Sequence, residues 1–246
     1  MKTLRIVVAI ATLTSAAHAL AHGRLAEVSV YDRSEGRWLH VYRHEGRSYV
    51  VGKPGHEYQI KVTNRLGEDL LAVISVDGVN VITGQSAHPS QSGYVLTPRG
   101  SLDVQGWRRS LSQTAAFYFS SWEDSYAART GRPDDVGVIG VALFRKKREA
   151  HPVAPIAPQA KAEGRSDSPA RRAEERDSRL GTGHGRHETS YATHVAFERA
   201  TSSPAEVFTL YYDSHANLVA RGVIREPVQV APRPRPFPGF VPDPRG

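Results

Sequence analysis

The stretch Leu70-Leu71-Ala72-Val73-Ile74-Ser75-Val76-Asp77-Gly78-Val79-Asn80-Val81-Ile82 decides the fold of this chain. Residues 70–76 are apolar except for Ser75, and the run leaves no room for helical periodicity, so it predicts a central strand buried on both faces. Asp77-Gly78 is a preferred dipeptide of type I′ turns, and residues 79–82 supply the returning strand. The stretch therefore predicts a sheet core that contains an antiparallel hairpin.

The residues on either side of this hairpin are also typical of short strands. The segment Glu57-Tyr58-Gln59-Ile60-Lys61-Val62-Thr63 alternates polar and apolar side chains, which is the period of a strand with one face in water. Further strands are predicted at residues 38–42, 47–51, 93–96, 101–104, 115–120 and 136–144. Many short strands joined by glycine-rich turns favour an antiparallel β-sandwich over residues 22–144.

One short helix is predicted to interrupt the strands. Ser121 is the candidate N-cap, and Asp124 stands three residues later, as in a capping box. Residues 125–129 would form the body and Gly131 would end it. The acidic side chains around this helix lack the alternating spacing of a calcium loop, so cap and turn roles are preferred to a metal site. These side chains are Glu123, Asp124, Asp134 and Asp135.

The first 21 residues have the pattern of a secretory signal peptide. A positively charged start precedes an apolar run, and residues 17–21 offer small-residue cleavage sites. The apolar run is shorter than the roughly 20 residues that a transmembrane helix needs. Cleavage would follow Ala19 or Ala21, and in the second case the mature chain would begin with His22. We therefore expect a periplasmic or secreted protein with no transmembrane segment.

The character of the sequence changes after residue 144. Residues 145–180 are rich in charged residues, alanine and proline and contain no aromatic residue, which predicts a disordered basic linker. Residues 181–224 regain apolar and aromatic side chains at strand spacing and predict a three-stranded β-meander that packs on, or extends, the first domain. Its strands are predicted at residues 189–200, 206–213 and 218–224. Residues 225–246 are proline-rich and predict an extended tail.

Composition restricts the chemistry available to the protein. The chain has no cysteine, which excludes disulfides, thiolate metal sites and cysteine nucleophiles. Its formal net charge of +7 favours association with anionic envelope components such as lipopolysaccharide or a phospholipid surface. The run Arg145-Lys146-Lys147-Arg148 would contribute to this association, and no specific nucleic-acid partner is expected of an exported chain.

The common catalytic motifs are missing from the sequence. There is no G-x-S-x-G or S-x-x-K for a serine nucleophile, and no H-E-x-x-H, P-loop or G-x-G-x-x-G. These absences argue against the common soluble enzyme classes, and we expect no cofactor.

Several sequence blocks carry a resemblance to a known family. They are Leu71–Val81, Gln91–Leu96, Gly106–Ser110, Ser125–Pro133, Gly181–Gly185 and Tyr211–Ser214. In these blocks the chain resembles a family of uncharacterised exported proteins of Gram-negative bacteria. The resemblance implies export and a two-part layout. It supplies no mechanism and no site residue, because that family has no assigned activity.

Trp107, Arg108 and Arg109 form the candidate ligand-binding cluster. An aromatic ring beside two guanidinium groups at the end of a strand can stack on a sugar or base and pair with a phosphate. Asp77 and Asn80 in the hairpin could add polar contacts. The structural alternative places Trp107 in the core or at its rim, leaves the arginines solvated and explains Asp77 by its turn.

Histidines suggest two candidate metal sites. A mature chain that begins with His22 could chelate copper through its amine and imidazole, as secreted copper-dependent monooxygenases do, although no motif places a second histidine. His184, His187 and Glu188 form a second cluster, but the flanking glycines favour a solvated loop there.

These patterns favour an exported, non-enzymatic β-sandwich that acts as a binding or envelope-associated module. One alternative is a secreted copper-dependent oxidase or monooxygenase that uses His22. The other is a carbohydrate or peptidoglycan binding domain, which would share the fold and differ in its ligand.

Overall fold

A computed structural model describes residues 21–148 and 179–225 of the protein. The remainder of the predicted signal peptide, most of the predicted linker and the predicted proline-rich tail lie outside these residues. The strands are β1 (Ala21–His22), β2 (Ala26–Asp32), β3 (Arg37–Trp38), β4 (Tyr42–His44), β5 (Arg47–Val51), β6 (Glu57–Asn64), β7 (Leu70–Val76), β8 (Val79–Asn80), β9 (Tyr94–Leu96), β10 (Ser101–Val104), β11 (Gly106–Arg108), β12 (Gln113–Ser121), β13 (Val138–Arg145), β14 (Leu180–Thr189) and β15 (Glu206–Asp213). The helices are α1 (Tyr126–Arg129) and α2 (His215–Ala220), with a 3₁₀ turn at Pro133–Asp135.

The strands form two sheets, as the sequence predicts for a β-sandwich. The first sheet has the order β1-β2-β6-β12-β11, with β3 beside β2, β10 beside β6 and β14 beside β12. The second has the order β4-β5-β15-β13-β7-β8, with β9 beside β7. All pairs are antiparallel except β5 with β15, which are parallel. Within the described parts of the chain, no helix is long and apolar enough to cross a membrane.

The predicted central strand is β7, and it is buried on both faces. Every second residue of β7 enters the main core between the sheets, namely Leu70, Ala72, Ile74 and Val76. Leu71 and Val73 point to the opposite face, where they pack in a smaller cluster that Phe197 covers. A strand that buries both faces needs the near-continuous apolar run that residues 70–76 provide.

The predicted type I′ turn follows β7. Asp77 has a φ of 51° and Gly78 has a φ of 69°, so both central residues are left-handed as this turn requires. The backbone N–H of Asp77 points away from the hairpin and donates to the carbonyl of Val138 on the neighbouring strand β13. The turn is thereby fastened to β13.

The predicted short helix is present, and it begins four residues later than the capping box suggests. Ser125 is the N-cap, and its Oγ accepts a hydrogen bond from the N–H of Ala128 at 3.2 Å. Ser121 instead accepts from the N–H of Asp124 at 3.3 Å, in a turn that precedes the helix. Gly131, with a φ of 79°, follows the last turn as predicted.

The C-terminal segment differs from the predicted meander, because its two strands join different sheets. β14 pairs with β12 in the first sheet, and β15 pairs with β13 and β5 in the second. β14 can lie this close to β12 because it contains glycines. At Gly183, for example, a Cβ atom would lie 2.1 Å from the ring of Tyr118, which is too close for any side chain. The segment therefore extends both sheets of the sandwich.

The third predicted strand of the meander, residues 218–224, contains the second half of α2 instead. Ser214 caps this helix by accepting from the N–H of Asn217 at 3.2 Å. Leu218 is fully buried in a separate cluster with Tyr49. Gly222, with a φ of 71°, lies directly after the helix. The N-cap and the burial of one apolar face outweigh the β-branched residues that suggested a strand.

Candidate functional site

A groove of about 560 Å³ lies between β9 of the second sheet and the strands β10 and β11 of the first. Three segments form its walls: the loop and strand at residues 90–95, the strands at 102–108, and residues 190–199. The last of these belong to the crossover segment, residues 190–205, which connects β14 in the first sheet with β15 in the second. We call this space the binding groove.

The crossover segment is held by backbone hydrogen bonds on both sides of the groove. At its start, the N–H of Ala192 donates to the carbonyl of Leu111 at 2.8 Å. Further along, the N–H of Lys147 donates to the carbonyl of Glu198 at 2.8 Å. These contacts hold an extended stretch of chain over the groove without making it part of a sheet.

Arg108 contributes the guanidinium group at one end of the groove. Its Nε donates to the hydroxyl of Tyr94 at 3.2 Å, and its Nη2 donates to Oγ of Ser190 at 3.0 Å. Its Nη1 donates to the carbonyl of Ser190 as well. All these partners are neutral, so the positive charge of Arg108 has no carboxylate partner in the described part of the chain.

Thr114 lies next to Arg108 across the β11–β12 pairing and lines the groove. Its side chain is buried, with 2% of the residue exposed, and its Oγ1 has no hydrogen-bond partner in residues 21–148 and 179–225. A buried hydroxyl without a partner costs free energy, which a ligand that hydrogen-bonds to it would recover.

Arg199 is the second guanidinium of the groove. It donates to the carbonyls of Pro89 at 2.8 Å and Gln91 at 2.6 Å, and it lies 4.2 Å from the centre of the Phe144 ring. Burial lowers the pKa of Arg199 from its usual value. No ion pair to a carboxylate is present at Arg199 among the residues that the structure covers.

The remaining charge of the groove is small. Asp103 is the carboxylate among the lining residues, and His194 is the imidazole. Both are exposed. Because two guanidinium groups face one carboxylate, the groove carries an excess of positive charge that favours an anionic ligand.

The outer rim of the groove is apolar. Leu111 is 50% exposed, Tyr191 is 84% exposed and Val195 is 66% exposed. Large side chains that expose this much area beside a cavity are typical of ligand-binding surfaces. The groove therefore combines a cationic floor with an apolar rim.

Trp107, the aromatic member of the predicted cluster, lies in the main core with 4% of its area exposed. Its ring packs edge-on against Phe117 at 5.1 Å and lies 5.0 Å from Tyr126. The alternation along β11 separates the predicted cluster, since it directs Trp107 inward and Arg108 into the groove. In this arrangement the indole is covered by protein and presents no face to a ligand.

Asp77 lies at the centre of a buried polar network. Its carboxylate accepts hydrogen bonds from the N–H of Gly137 at 2.9 Å and the N–H of Thr182 at 2.7 Å, and from the Tyr212 hydroxyl. Tyr212 uses its single proton for Asp77, so it accepts from Thr182, whose Oγ1 in turn accepts from Tyr58. The network joins both sheets.

Burial raises the pKa of Asp77 to about 6, although the hydrogen bonds from Tyr212, Thr182 and Gly137 act in the opposite direction. Burial also raises the pKa of Tyr58 and of Tyr212, and the charge of Asp77 adds to both effects. At neutral pH, Asp77 is therefore ionised and the two phenols are protonated. This is the state in which every donor of the network has an acceptor.

Asn80 is also fully buried and holds the loop that follows the hairpin. Its Oδ1 accepts from the N–H of Ile82 at 2.8 Å and of Thr83 at 3.1 Å. Its amide donates to the carbonyl of Ser92 at 3.1 Å. Asp77 and Asn80 are thus committed to internal contacts, and the structure does not bring them to the groove with Arg108.

Arg109 points away from the groove towards β14. Its Nη1 lies 3.5 Å from Nε2 of His184, and the ring of His184 lies 6.3 Å from that of His187. These histidines belong to a strand, whereas their flanking glycines suggested a loop. Glu188, the third member of that motif, forms ion pairs with Arg33 and Arg186 instead.

Asp32, Glu35 and His56 are the group at metal-binding distances among the residues described. Nδ1 of His56 lies 2.8 Å from Asp32, and Glu35 forms ion pairs with Lys53 and Arg37. Hydrogen bonds from Lys53 and Arg37 lower the pKa of Glu35 to about 2. Since two cations already occupy this carboxylate, the group is an ion-pair network rather than an available metal site.

His22 forms the short strand β1 with Ala21, and its backbone lies opposite Glu27 of β2. The predicted copper site at the mature N-terminus stays a prediction. Of the acidic residues around α1, Asp124 accepts a hydrogen bond from Ser121 at 3.0 Å, in keeping with a role in the local turn.

The basic run at residues 145–148 is paired with carboxylates. Each of its four side chains contacts an acidic residue, so it offers less free charge than the sequence suggests. The pairs are Arg145 with Glu68, Lys146 with Asp69, Lys147 with Glu198, and Arg148 with Glu68.

Thr114, Ser190 and Arg199 are site residues that no pattern in the sequence indicates. Thr114 has no distinguishing sequence context, and its importance lies in a hydroxyl left unpaired by the fold. Ser190 and Arg199 belong to residues 189–200, which the sequence predicts as a strand. That prediction is wrong, because β14 ends at Thr189 and the residues after it form the crossover segment. Arg108 alone of the predicted cluster lines the groove.

Comparison with known protein families, with curated proteins and with solved structures finds no match to this chain.

Proposed function

We propose that this protein is an exported, non-enzymatic binding module whose ligand is an anionic amphiphile of the bacterial envelope, held in the binding groove. The observation that carries the proposal is that Arg108 and Thr114 lie opposite each other on the paired strands β11 and β12 and both line the groove. A guanidinium group with only neutral partners lies beside a buried hydroxyl that has no partner in the described chain. An anionic oxygen can accept hydrogen bonds from both groups.

The positive charge of the groove supports an anionic head group. Arg108 and Arg199 both line the groove, and each donates only to neutral oxygens. In a partly desolvated groove, an anion near these groups is screened less than at an open surface.

The apolar rim supports an amphiphile rather than a simple ion. Leu111, Tyr191 and Val195 expose apolar area next to the cationic floor. Burying that area under an acyl chain contributes roughly 25 cal/mol per Å². A phospholipid with an anionic head group matches both parts of the groove.

Tyr191 also favours a second candidate, a carbohydrate or peptidoglycan ligand. Its ring is 84% exposed at the edge of the groove. An exposed tyrosine ring can stack on the face of a sugar while polar groups nearby bind its hydroxyls. This candidate differs from the first in needing no anionic group on the ligand.

Calorimetric titration with a soluble short-chain lipid tests the proposal. We expect the full mature chain to bind dihexanoyl-phosphatidylglycerol and to bind dihexanoyl-phosphatidylcholine more weakly, because the second lipid has no net charge. Arg108→Gln should weaken binding of the anionic lipid about tenfold or more, since it removes a hydrogen bond to a charged group.

Thr114 provides the matched variants for this titration. Thr114→Val keeps the shape of the side chain and removes only the unpartnered hydroxyl, so binding should weaken while folding is preserved. Thr114→Ser keeps the hydroxyl and should retain binding. Arg43→Gln removes an exposed charge on β4 of the other sheet and should leave binding unchanged.

Equal binding of the two lipids, or wild-type affinity in both Arg108→Gln and Thr114→Val, would contradict the proposal. Binding of a neutral oligosaccharide that Tyr191→Ala abolishes would favour the carbohydrate candidate. N-terminal sequencing of the exported protein tests the copper alternative, since a chain that begins at Leu20 cannot present His22 as its terminal residue.

A further inference from the structure

A group of cationic side chains lies where α1 packs against β14, and none of them lines the binding groove. Arg109 follows β11, Arg129 is in the last turn of α1, and His184 and His187 belong to β14. Nη1 of Arg109 lies 3.5 Å from Nε2 of His184, and the two imidazole rings are 6.3 Å apart. We call these four residues the cationic cluster.

A β-bulge brings the two histidines together. Residues three positions apart in a regular strand point to opposite faces of the sheet. Here Ala115 lies opposite His187 and Phe117 lies opposite His184, so β14 has one more residue than β12 between these pairs. The extra residue turns both imidazoles to the same side.

The members of the cationic cluster repel one another electrostatically. Burial lowers the pKa of His184, and the charges of Arg109, His187 and Arg129 lower it further. The ring of Tyr126 lies 5.6 Å from the ring of His184. Because Arg109 can only donate, the nitrogen of His184 that faces it is unprotonated.

No carboxylate balances this charge within the described residues. Neither Arg109 nor Arg129 forms an ion pair there, whereas Arg37 and Arg186 on strands of the first sheet do. The acidic residue next in sequence to the cluster, Glu188, is held by Arg33 and Arg186. Glu188 therefore does not offset the positive charge of Arg109 and Arg129, which lie near the histidines of the same strand.

We propose that Arg109, Arg129, His184 and His187 form a binding site for a tetrahedral phosphate-type oxyanion. All four side chains can donate hydrogen bonds to such an anion, and guanidinium groups match its oxygens in a bidentate geometry. A dianion between these groups replaces mutual repulsion by attraction. Its binding also favours the protonated form of His184, which can then donate instead of facing Arg109 as an acceptor.

The first test uses inorganic phosphate and the histidine NMR signals of the full mature chain. Phosphate should shift the signals of His184 and His187 and raise the pKa of His184, because the bound anion favours the imidazolium form. The signals of His56, which pairs with Asp32, serve as an internal reference and should not move. A titration in which the His184 and His187 signals do not respond would overturn the proposal.

The second test measures phosphate affinity in variants of the two arginines. Arg109→Gln and Arg129→Gln should each weaken binding about tenfold, as expected for the loss of a charge-assisted hydrogen bond. Arg43→Gln removes the same charge from the other sheet and should leave the affinity within about twofold, because screening weakens distant exposed charges. Equal losses in all three variants would show a net-charge effect and refute a defined site.

A third comparison identifies the source of the phosphate group. Glycerol 3-phosphate represents a free phosphate monoester, and phosphatidylcholine vesicles containing phosphatidic acid represent a lipid head group. Binding of the first with the affinity of inorganic phosphate indicates a soluble ligand, whereas stronger retention on the vesicles indicates a lipid surface. The vesicle comparison is repeated in a variant that carries both Arg108→Gln and Thr114→Val, in which the binding groove is impaired. Retention that persists there comes from the cationic cluster, so failure of the groove proposal and failure of this one remain distinguishable.

Discussion

Asp77 and Thr114 represent two polar regions of one sandwich that satisfy their hydrogen bonds differently. In the network around Asp77, three donors reach one buried carboxylate and every hydroxyl has an acceptor. In the groove, Thr114 is also buried but has no partner among the described residues, and the partners of Arg108 beside it are neutral. The first region is complete within the chain, and the second has unused hydrogen-bonding capacity.

This difference separates a structural role from the binding role that we propose for the groove. A satisfied buried network stabilises the arrangement of the two sheets and leaves nothing for a ligand to bind. An unpaired buried hydroxyl next to a cation reduces stability slightly and can gain a hydrogen-bond partner from a ligand. Of the polar residues that the sequence singles out, Asp77 and Asn80 belong to the first kind and Arg108 to the second.

The largest effect should come from removing the centre of the network. Asp77→Ala leaves the N–H groups of Gly137 and Thr182 and the hydroxyl of Tyr212 without their acceptor. Each unsatisfied group costs about 1–3 kcal/mol, so the free energy of unfolding should fall by about 5 kcal/mol. Urea unfolding followed by circular dichroism measures this change.

Asp124→Ala is the control for that substitution, because this exposed carboxylate contacts only Ser121 in its local turn. It should lower the free energy of unfolding by less than about 1 kcal/mol. Similar losses in the two variants would show that the network does not hold the sheets together.

The pH dependence of stability should reveal the ionisation of Asp77. Its pKa is about 6 in the folded protein, above the ordinary value of 3.8, so between these values the folded state binds more protons than the unfolded chain. The contribution of Asp77 to stability therefore decreases as pH rises from 4 to 6 and is constant above about pH 7. The expected decrease is about 3 kcal/mol, from a shift of about two pKa units.

Asp77→Asn isolates this contribution, since asparagine tolerates the left-handed backbone at this position but does not titrate. The difference in unfolding free energy between wild type and variant should change across pH 4 to 7 in the direction given above. A difference that does not vary with pH would mean that the pKa of Asp77 is the same in both states.

The same substitution at two threonines gives the smallest and most direct test of the comparison. Thr182→Val removes a hydroxyl that bonds to Tyr58 and Tyr212, and should cost about 2 kcal/mol. Thr114→Val removes a hydroxyl without a partner and should change stability by less than about 0.5 kcal/mol or increase it. Thermal unfolding of both variants checks the order, and equal losses would remove the distinction between the two regions.

Local sequence patterns predicted the first part of the fold well and the second part less well. The alternation in β6, the apolar run of β7 and the turn at Asp77-Gly78 depend on neighbouring residues alone. Whether β14 and β15 join the first or the second sheet depends on contacts with strands that are distant in sequence. In addition, residues 180–189 carry too many glycines and polar side chains to be recognised as a strand. α2 was missed because a cap at Ser214 and the burial of Leu218 outweigh strand propensity.

The candidate site was predicted only in part, because a sequence lists residue types without their partners. Trp107, Arg108 and Arg109 are consecutive, yet the strand directs the first into the core, the second into the groove and the third towards His184. Thr114 and Ser190 gain their importance from neighbours distant in sequence, so no local pattern could identify them.

The sequence by itself determined the β-sandwich class, the type I′ hairpin at Asp77-Gly78 and the presence of a short helix near residue 126. Each follows from hydrophobic period or turn chemistry over a few residues. Only the tertiary structure decided that Asp77 is enclosed in a network, that Arg108 and Thr114 share a groove and that two histidines face the same side of β14. These outcomes depend on strand register and on which sheet each strand joins, and both are set by contacts between residues far apart in the chain.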